Sequence, residues 1–201
     1  MKHLLLTLCL VLALALTAPF AGAASGGAAE KRMTLPKPTV SGGMPLMNAL
    51  AARKSTRSFD SRAISEQNLS NLLWAAWGIN RTDGKRTVPT SRNRQEAALF
   101  AVLESGVWRY EAADNSLTLV VVGDARGRFG GAPLTLIFAA KAGDDGGMHA
   151  GSMYQNVGLY CASVGLGNVV KTTGRAEFAP TQLKLPDEYK VYVVQSVGWP
   201  K

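Results

Sequence analysis

Three clusters of polar residues have the types and spacing to do chemistry. The first is the run Arg53-Lys54-Ser55-Thr56-Arg57-Ser58-Phe59, dense in cations and hydroxyls. Arg53, Ser55 and Arg57 alternate, so an extended backbone would aim all three side chains the same way. Two planar guanidinium forks and a hydroxyl meeting at one spot suit a phosphate dianion. Taken alone, the run fits a solvated basic turn at least as well. The second cluster is Pro89-Thr90-Ser91-Arg92-Asn93-Arg94-Gln95. Side-chain amides offer donor and acceptor together, so Asn93 and Gln95 could address a ring edge that alternates carbonyls and nitrogens. Polar loops of this composition are common, and by itself the signal is weak. The third is the pair Gln155-Asn156, followed by Leu159 and Gly165-Leu166-Gly167. Amides within a packed helix need partners, often across an interface. The plainer alternative is an ordinary helix end with Gly165 as a left-handed cap.

Periodicity supplies the elements that must carry these clusters. Leu46, Ala49 and Leu50 recur at helical spacing from Pro45, and Arg53 ends that helix. Ser65 is a suitable N-cap for a second helix with Leu69, Leu72, Leu73 and Ala76 on one stripe, closed by Gly78. Trp74 and Trp77 beside that stripe read as core or interface filler. Residues 81–94 form a polar loop with five basic residues and one acid, Asp83. Runs bounded by Gly, Asp, Asn or Pro predict strands over Ala97–Leu103, Leu117–Val122, Leu134–Ala140 and Val191–Val197. Gly147 to Val164 reads as a helix crowded with small residues, and glycine inside a helix costs about 1 kcal/mol against alanine. Several of them together imply that another backbone or a ligand comes close. Helices and strands alternate without a regular βαβ repeat, so the expected class is α+β.

The N-terminus has the order of a secretory signal peptide: Lys2, an apolar run from Leu4 to Leu16, Pro19, and the small-x-small site Ala21-Gly22-Ala23. The apolar run is shorter than the roughly 20 residues of a membrane span. Export to the periplasm with cleavage after residue 23 is therefore expected, with no stable membrane insertion afterwards. The organisation is then a signal peptide at 1–23, a Gly/Ala/Pro/Ser-rich flexible arm at 24–43, and one domain at 44–201. Cleavage removes one formal charge, taking the net value from +8 to +7. A basic surface of that size suits a phosphate-bearing ligand or an anionic envelope surface, and export argues against nucleic acid. Cys161 and His149 are the only cysteine and histidine beyond the signal segment, so a disulfide, a zinc cluster and a serine-hydrolase dyad are all poorly supported. Cys161 lies in an apolar stretch and reads as a core thiol.

In register, the three clusters resemble the nitroreductase family of FMN enzymes. Arg53-Lys54-Ser55-Thr56-Arg57 matches its Arg-x-Ser-x-Arg/Lys segment, and Pro89 to Gln95 matches its Pro-Ser-Ser-x-Asn-x-Gln segment except at Thr90. Gln155-Asn156 running into Gly165-Leu166-Gly167, and the ending Gly198-Trp199-Pro200, match as well. The stretch Gly106 to Tyr110, with Gly123-Asp124 and Arg126 after it, is more similar to the SagB/thiazoline-oxidase branch. Glu96-Ala97 departs from the Pro-aromatic pair common after the amide loop.

The resemblance implies a mixed, mainly antiparallel sheet flanked by helices, in an intertwined homodimer with FMN at the interface. Arg53, Lys54, Ser55 and Arg57 would hold the FMN phosphate and ribityl chain, and Lys201 could add a phosphate contact. Asn93, with Ser91 and Gln95, would reach the ring from the partner subunit. Thr172, Thr173 and Gly174 would place backbone amides beside the reactive nitrogen of the flavin. It also implies ping-pong electron transfer to a small organic acceptor, with no side-chain acid or base. The donor is open, because reduced nicotinamide is not expected outside the cytoplasm. A SagB-like oxidase of a peptide or heterocycle, or a flavin-binding protein without turnover, are the competing expectations.

Overall fold

The computed structural model describes residues 30–201, so the signal segment and its cleavage site lie outside the described residues. Seven strands form one sheet in the order β1-β4-β3-β2-β5-β7-β6. They are β1 (Arg32–Thr34), β2 (Ala97–Leu103), β3 (Gly106–Glu111), β4 (Ser116–Val122), β5 (Leu134–Lys141), β6 (Gly167–Lys171) and β7 (Tyr189–Gly198). Every ladder is antiparallel. The parallel component of the expected mixed sheet is one isolated bridge, Ser55 with Asn168.

Among the described residues three helices complete the α+β architecture: α1 (Leu46–Ala52), α2 (Glu66–Trp77) and α3 (Asp144–Val164). The Ser65 hydroxyl accepts the Asn68 N–H at 3.2 Å, so α2 starts on the cap that its sequence supplies. Gly165 closes α3 with φ 77°, the left-handed value that glycine adopts without steric cost. Helix α3 begins at Asp144, one turn earlier than the small-residue pattern suggests, because two acids precede that pattern and suit a first turn.

The sheet is buried on both faces, which explains why β2 and β5 read as unbroken apolar runs. Leu99, Ala101, Leu136 and Phe138 pack with Leu72, Leu73, Met153, Val157 and Cys161 of α2 and α3. Phe100, Val102, Ile137 and Val194 face the other way, against Ala125, Phe129, Phe178 and Leu183. That second face is covered by loops and by short 3-10 turns at Arg126–Phe129 and Pro180–Leu183. Cys161 is fully buried, and burial pushes its thiol well above the usual range.

The described part of the arm is tied down. Strand β1 pairs with β4, Leu35 is buried, and Pro36 O accepts from the Ser70 hydroxyl and the Asn115 amide. Three residues of strand are too short to show a period, so this docking leaves little trace in the sequence. Strands β3 and β6 were likewise outside the expected set; each is short and carries a glycine at its start.

Candidate active site

The basic segment after α1 lies along the free edge of β6. The Ser55–Asn168 bridge and the Thr56 N–H to Asn168 O bond, 2.8 Å, hold it there in extended form. Gly167 permits the approach: a Cβ on it would fall 2.7 Å from Thr56 Cγ2 and 2.8 Å from Thr56 Cβ. The arginine stem of Arg53 passes Gly158 of α3, where a Cβ would meet Arg53 Cδ at 3.5 Å. The C-terminal end joins the same segment, with Phe59 bridged to Pro200, the Asp60 N–H on Trp199 O and the Lys201 N–H on Ser58 O at 3.3 Å. Lys201 thus comes beside the basic run.

Asn168 is buried and also works through its side chain. The Gln195 amide donates to Asn168 Oδ1 at 2.9 Å and to Tyr154 O at 3.3 Å. This polar tie behind the basic segment connects β6, β7 and α3. Neither Asn168 nor Gln195 stood out in the sequence, since lone amides in strands are unremarkable there.

Next to this edge lies a cavity of about 480 Å³ that takes in Arg57, Lys171, Thr172, Thr173, Phe129 and Ser196. Among the described residues no acidic side chain lines it. Among the described residues Arg57 has no ion pair, and Lys171 donates only to Phe129 O, at 2.6 Å. Partial burial pulls the Lys171 ammonium below its ordinary pKa. Thr172 and Thr173 are exposed at the mouth, and Gly174 follows with φ 87° against the Phe129 ring. Arg53, Lys54 and Ser55 belong to the adjoining edge and do not line the cavity itself. Sequence reasoning missed Lys171 as a side chain, together with Phe129 and Ser196. Phe129 belongs to a 3-10 turn whose Arg-Gly-Arg-Phe composition gives no period.

The amide loop sits elsewhere. Ser91–Asn93 is a 3-10 turn, and the Ser91 N–H donates to His149 Nε2 of α3 at 3.0 Å. Gln95 is spent inside the loop: its amide donates to Gly84 O and Asn93 Oδ1, and its carbonyl accepts from Arg86 Nε at 2.8 Å. Arg86 stacks on Trp77, 4.3 Å from the ring centre, and donates to Trp77 O. Lys85 pairs with Asp83, and Arg94 with Glu96 and Asp145. Much of the positive charge in residues 81–94 is therefore used to hold the loop. The loop leads into β2 at Ala97, opposite Ala140, whereas the cavity lies where Ser196 pairs with Thr135. Five residues of β5 separate the two levels, about 17 Å at strand rise. Ser91, Asn93 and Gln95 thus stand apart from the cavity of their own chain.

Of the pair on α3, Asn156 turns inward and donates to Ala75 O of α2 at 2.9 Å, whereas Gln155 is exposed. Other apolar side chains are exposed near α1: Leu46, Met47 and Leu50, with Met47 at 73%.

Comparison with known proteins accords with this geometry. The family model described as "Nitroreductase family" matches residues 50–199. A solved structure of a candidate nitroreductase from Ralstonia eutropha is 34% identical, covering 87% of this chain and 92% of that one, with a TM-score of 0.77. A candidate nitroreductase of Methanocaldococcus jannaschii is 27% identical over 62% of this chain and 76% of its own length. The fold is shared with a Bacteroides fragilis nitroreductase solved with bound FMN, at 17% identity and a TM-score of 0.55, covering 78% of this chain and 88% of that one. With its family match spanning most of the domain, the chain belongs to the nitroreductase family.

Proposed function

We propose that this protein is an exported FMN-dependent oxidoreductase that works as a homodimer. The observation that carries the reading is the acid-free cavity with Arg57 and Lys171 in its wall, beside an edge that gathers Arg53, Lys54, Ser55 and Lys201. The donor set fits FMN. Guanidinium forks and hydroxyls suit its phosphate and ribityl chain, and the apolar Val169, Ala132 and Phe129 suit a ring.

Bound there, FMN would supply the electron chemistry, accepting electrons from a donor and passing them to a small organic acceptor in two separate half-reactions. The chain contributes binding and electrostatics. Arg57 and Lys171 give the cavity a positive potential, which favours negative charge wherever it develops inside. Phe129 gives the cavity wall an apolar part and is backed by the buried Phe178, 6.1 Å away between ring centres. Thr172, Thr173 and Gly174 present backbone beside the site, and the loop carrying Ser91, Asn93 and Gln95 meets it from a second copy, with Asn93 the amide exposed to reach it. The 17 Å offset within one chain supports that arrangement, as does the exposed apolar side of α1.

Titration of the purified chain with FMN tests the reading. Flavin fluorescence is expected to be quenched on binding, and a chain that stays colourless in excess FMN refutes it. Arg53→Ala with Arg57→Ala is expected to weaken FMN binding by about 2–4 kcal/mol, from overlapping charge-assisted hydrogen bonds. Anaerobic mixing with NADPH then decides the direction of electron flow. Bleaching marks a reductase, and a yellow protein that does not bleach favours the SagB-like oxidation of a peptide or heterocycle or flavin binding without turnover. Sequencing the N-terminus of the periplasmic form tests cleavage after residue 23.

A further inference from the structure

His149 is the histidine of the folded domain and is 6% exposed, on the first half of α3. Its Nε2 accepts the Ser91 N–H at 3.0 Å, while its Nδ1 is buried without a hydrogen-bond partner. An imidazole that accepts at Nε2 carries its single proton on Nδ1, so this geometry belongs to the neutral ring. Protonation would put a hydrogen on Nε2 facing the Ser91 N–H. Two donors would then oppose each other at hydrogen-bond distance.

The loop held by this bond does not have a relaxed backbone. Arg92, Asn93 and Gln95 have φ of 52°, 53° and 54°, left-handed values that non-glycine residues adopt at a cost. Internal bonds from Gln95 N–H to Thr90 Oγ1 and from the Gln95 amide to Asn93 Oδ1 shape the loop. The tie to α3 is made by the His149 bond and by Arg94 with Asp145, the latter 3.4 Å long and exposed.

Charged groups share a cavity of about 310 Å³ with His149: Arg94 and Glu96 before β2, Lys141 from β5, and Asp144 and Asp145 from its own helix. The Tyr192 hydroxyl from β7 lies close by, donating to Gly143 O at 3.0 Å. Glu96 is already paired with Arg94 and Lys141, and Asp145 with Arg94.

We propose that His149 is a positioning residue: through Nε2 it holds the Ser91–Gln95 loop in the form that meets the flavin, and protonation lets that loop go. The proposal rests on the FMN reading above. It makes flavin binding tighter at neutral than at acid pH, through a residue that touches no flavin.

The test is FMN titration of the full chain by fluorescence quenching between pH 5 and 8, for the wild type, His149→Gln and His149→Leu. The amide proton resonance of Ser91 is followed in parallel. The wild type is expected to bind FMN about tenfold more weakly at pH 5 than at pH 8, the factor that ~1.4 kcal/mol represents. The Ser91 resonance should move upfield over the same range as its hydrogen bond is lost. His149→Gln offers an oxygen near the Nε2 position at every pH, so it should keep tight binding and a flat profile. His149→Leu should bind weakly throughout. FMN binding whose pH profile is the same in wild type and His149→Gln overturns this proposal alone, as does a Ser91 resonance that ignores the histidine. A wild type that binds no FMN at any pH overturns the flavin reading and this proposal with it.

Discussion

Replacing Gly167 by alanine should loosen the whole basic segment without harming the core. The added Cβ would fall 2.7 Å from Thr56 Cγ2, 2.8 Å from Thr56 Cβ and 3.0 Å from Thr56 Oγ1. A β-branched side chain cannot rotate away from a clash at its own Cβ, so the strand that carries it must move. That movement breaks the Thr56 N–H to Asn168 O bond, 2.8 Å, and the Ser55 bridge. Overpacking costs about 1–3 kcal/mol and one backbone hydrogen bond about 0.5–1.5. Relief by outward displacement overlaps the two, so unfolding stability should fall by about 1–3 kcal/mol. FMN affinity should fall by at least a comparable factor, because Arg57 and Ser55 ride on the displaced strand. Urea unfolding and FMN titration read the two effects. Thr56→Gly removes both clashing carbons, so Gly167→Ala placed on that background should cost far less than on the wild type, a coupling a double-mutant cycle isolates. If Gly167→Ala alone leaves both stability and FMN affinity unchanged, the close approach of segment and strand does not control the site.

Ser65→Ala removes the α2 cap and should lower stability by about 1 kcal/mol in urea unfolding, with FMN binding unaffected. Cys161 should resist a thiol reagent in the native protein and react on unfolding, because its thiol is buried and held in the protonated form. Asp114 is held below the usual carboxylate range by the Ser116 hydroxyl, with Arg32 adding to it. A depressed carboxylate stabilises the fold above its unfolded pKa and loses that contribution as pH falls through its folded pKa, so protection of the β1 amides relative to their intrinsic exchange rates should fall below about pH 4, and Asp114→Asn should show the lower protection already at neutral pH. Met47→Glu places a charge on the exposed apolar side of α1 and should shift light-scattering mass from dimer toward monomer.

Elements with long periods or distinct caps were legible from residues alone. Ser65 and Gly78 bound α2, Gly165 ends α3, and β2 runs from Ala97 to Leu103 as its apolar run suggests. Strands β1 and β6 were not, because three and five residues are too few to show alternation and their pairing depends on distant partners. The basic run after α1 was legible as a cluster, but its extended form comes from the β6 edge, which no local pattern encodes. Asn93 and Gln95 illustrate the opposite failure. Their amides looked free to recognise a ring, yet Gln95 is engaged with Gly84, Asn93 and Arg86 within its own loop. Of the two, Asn93 retains exposed capacity to reach another chain.

The glycines of α3 separate two meanings that composition merges. A Cβ on Gly146 would strike the Tyr192 hydroxyl at 2.2 Å and Lys141 O at 2.5 Å, and one on Gly158 would touch the Arg53 stem at 3.5 Å. The first is a clash that forces a rearrangement, whereas the second is ordinary contact that an alanine could make. Gly147 and Gly151 meet nothing nearer than 3.6 Å and 3.9 Å. They share a side of α3 with Met148, which is 60% exposed, and with Gln155. Glycine in a helix interior is unfavourable unless something uses the space. Within the chain that reason is plain at Gly146, whereas a Cβ at Gly147, Gly151 or Gly158 would meet only ordinary contacts. Gly146 thus admits the Tyr192 side chain and the Lys141 carbonyl beside the start of the helix, and a second copy packed as proposed above would give Gly147 and Gly151 a comparable use.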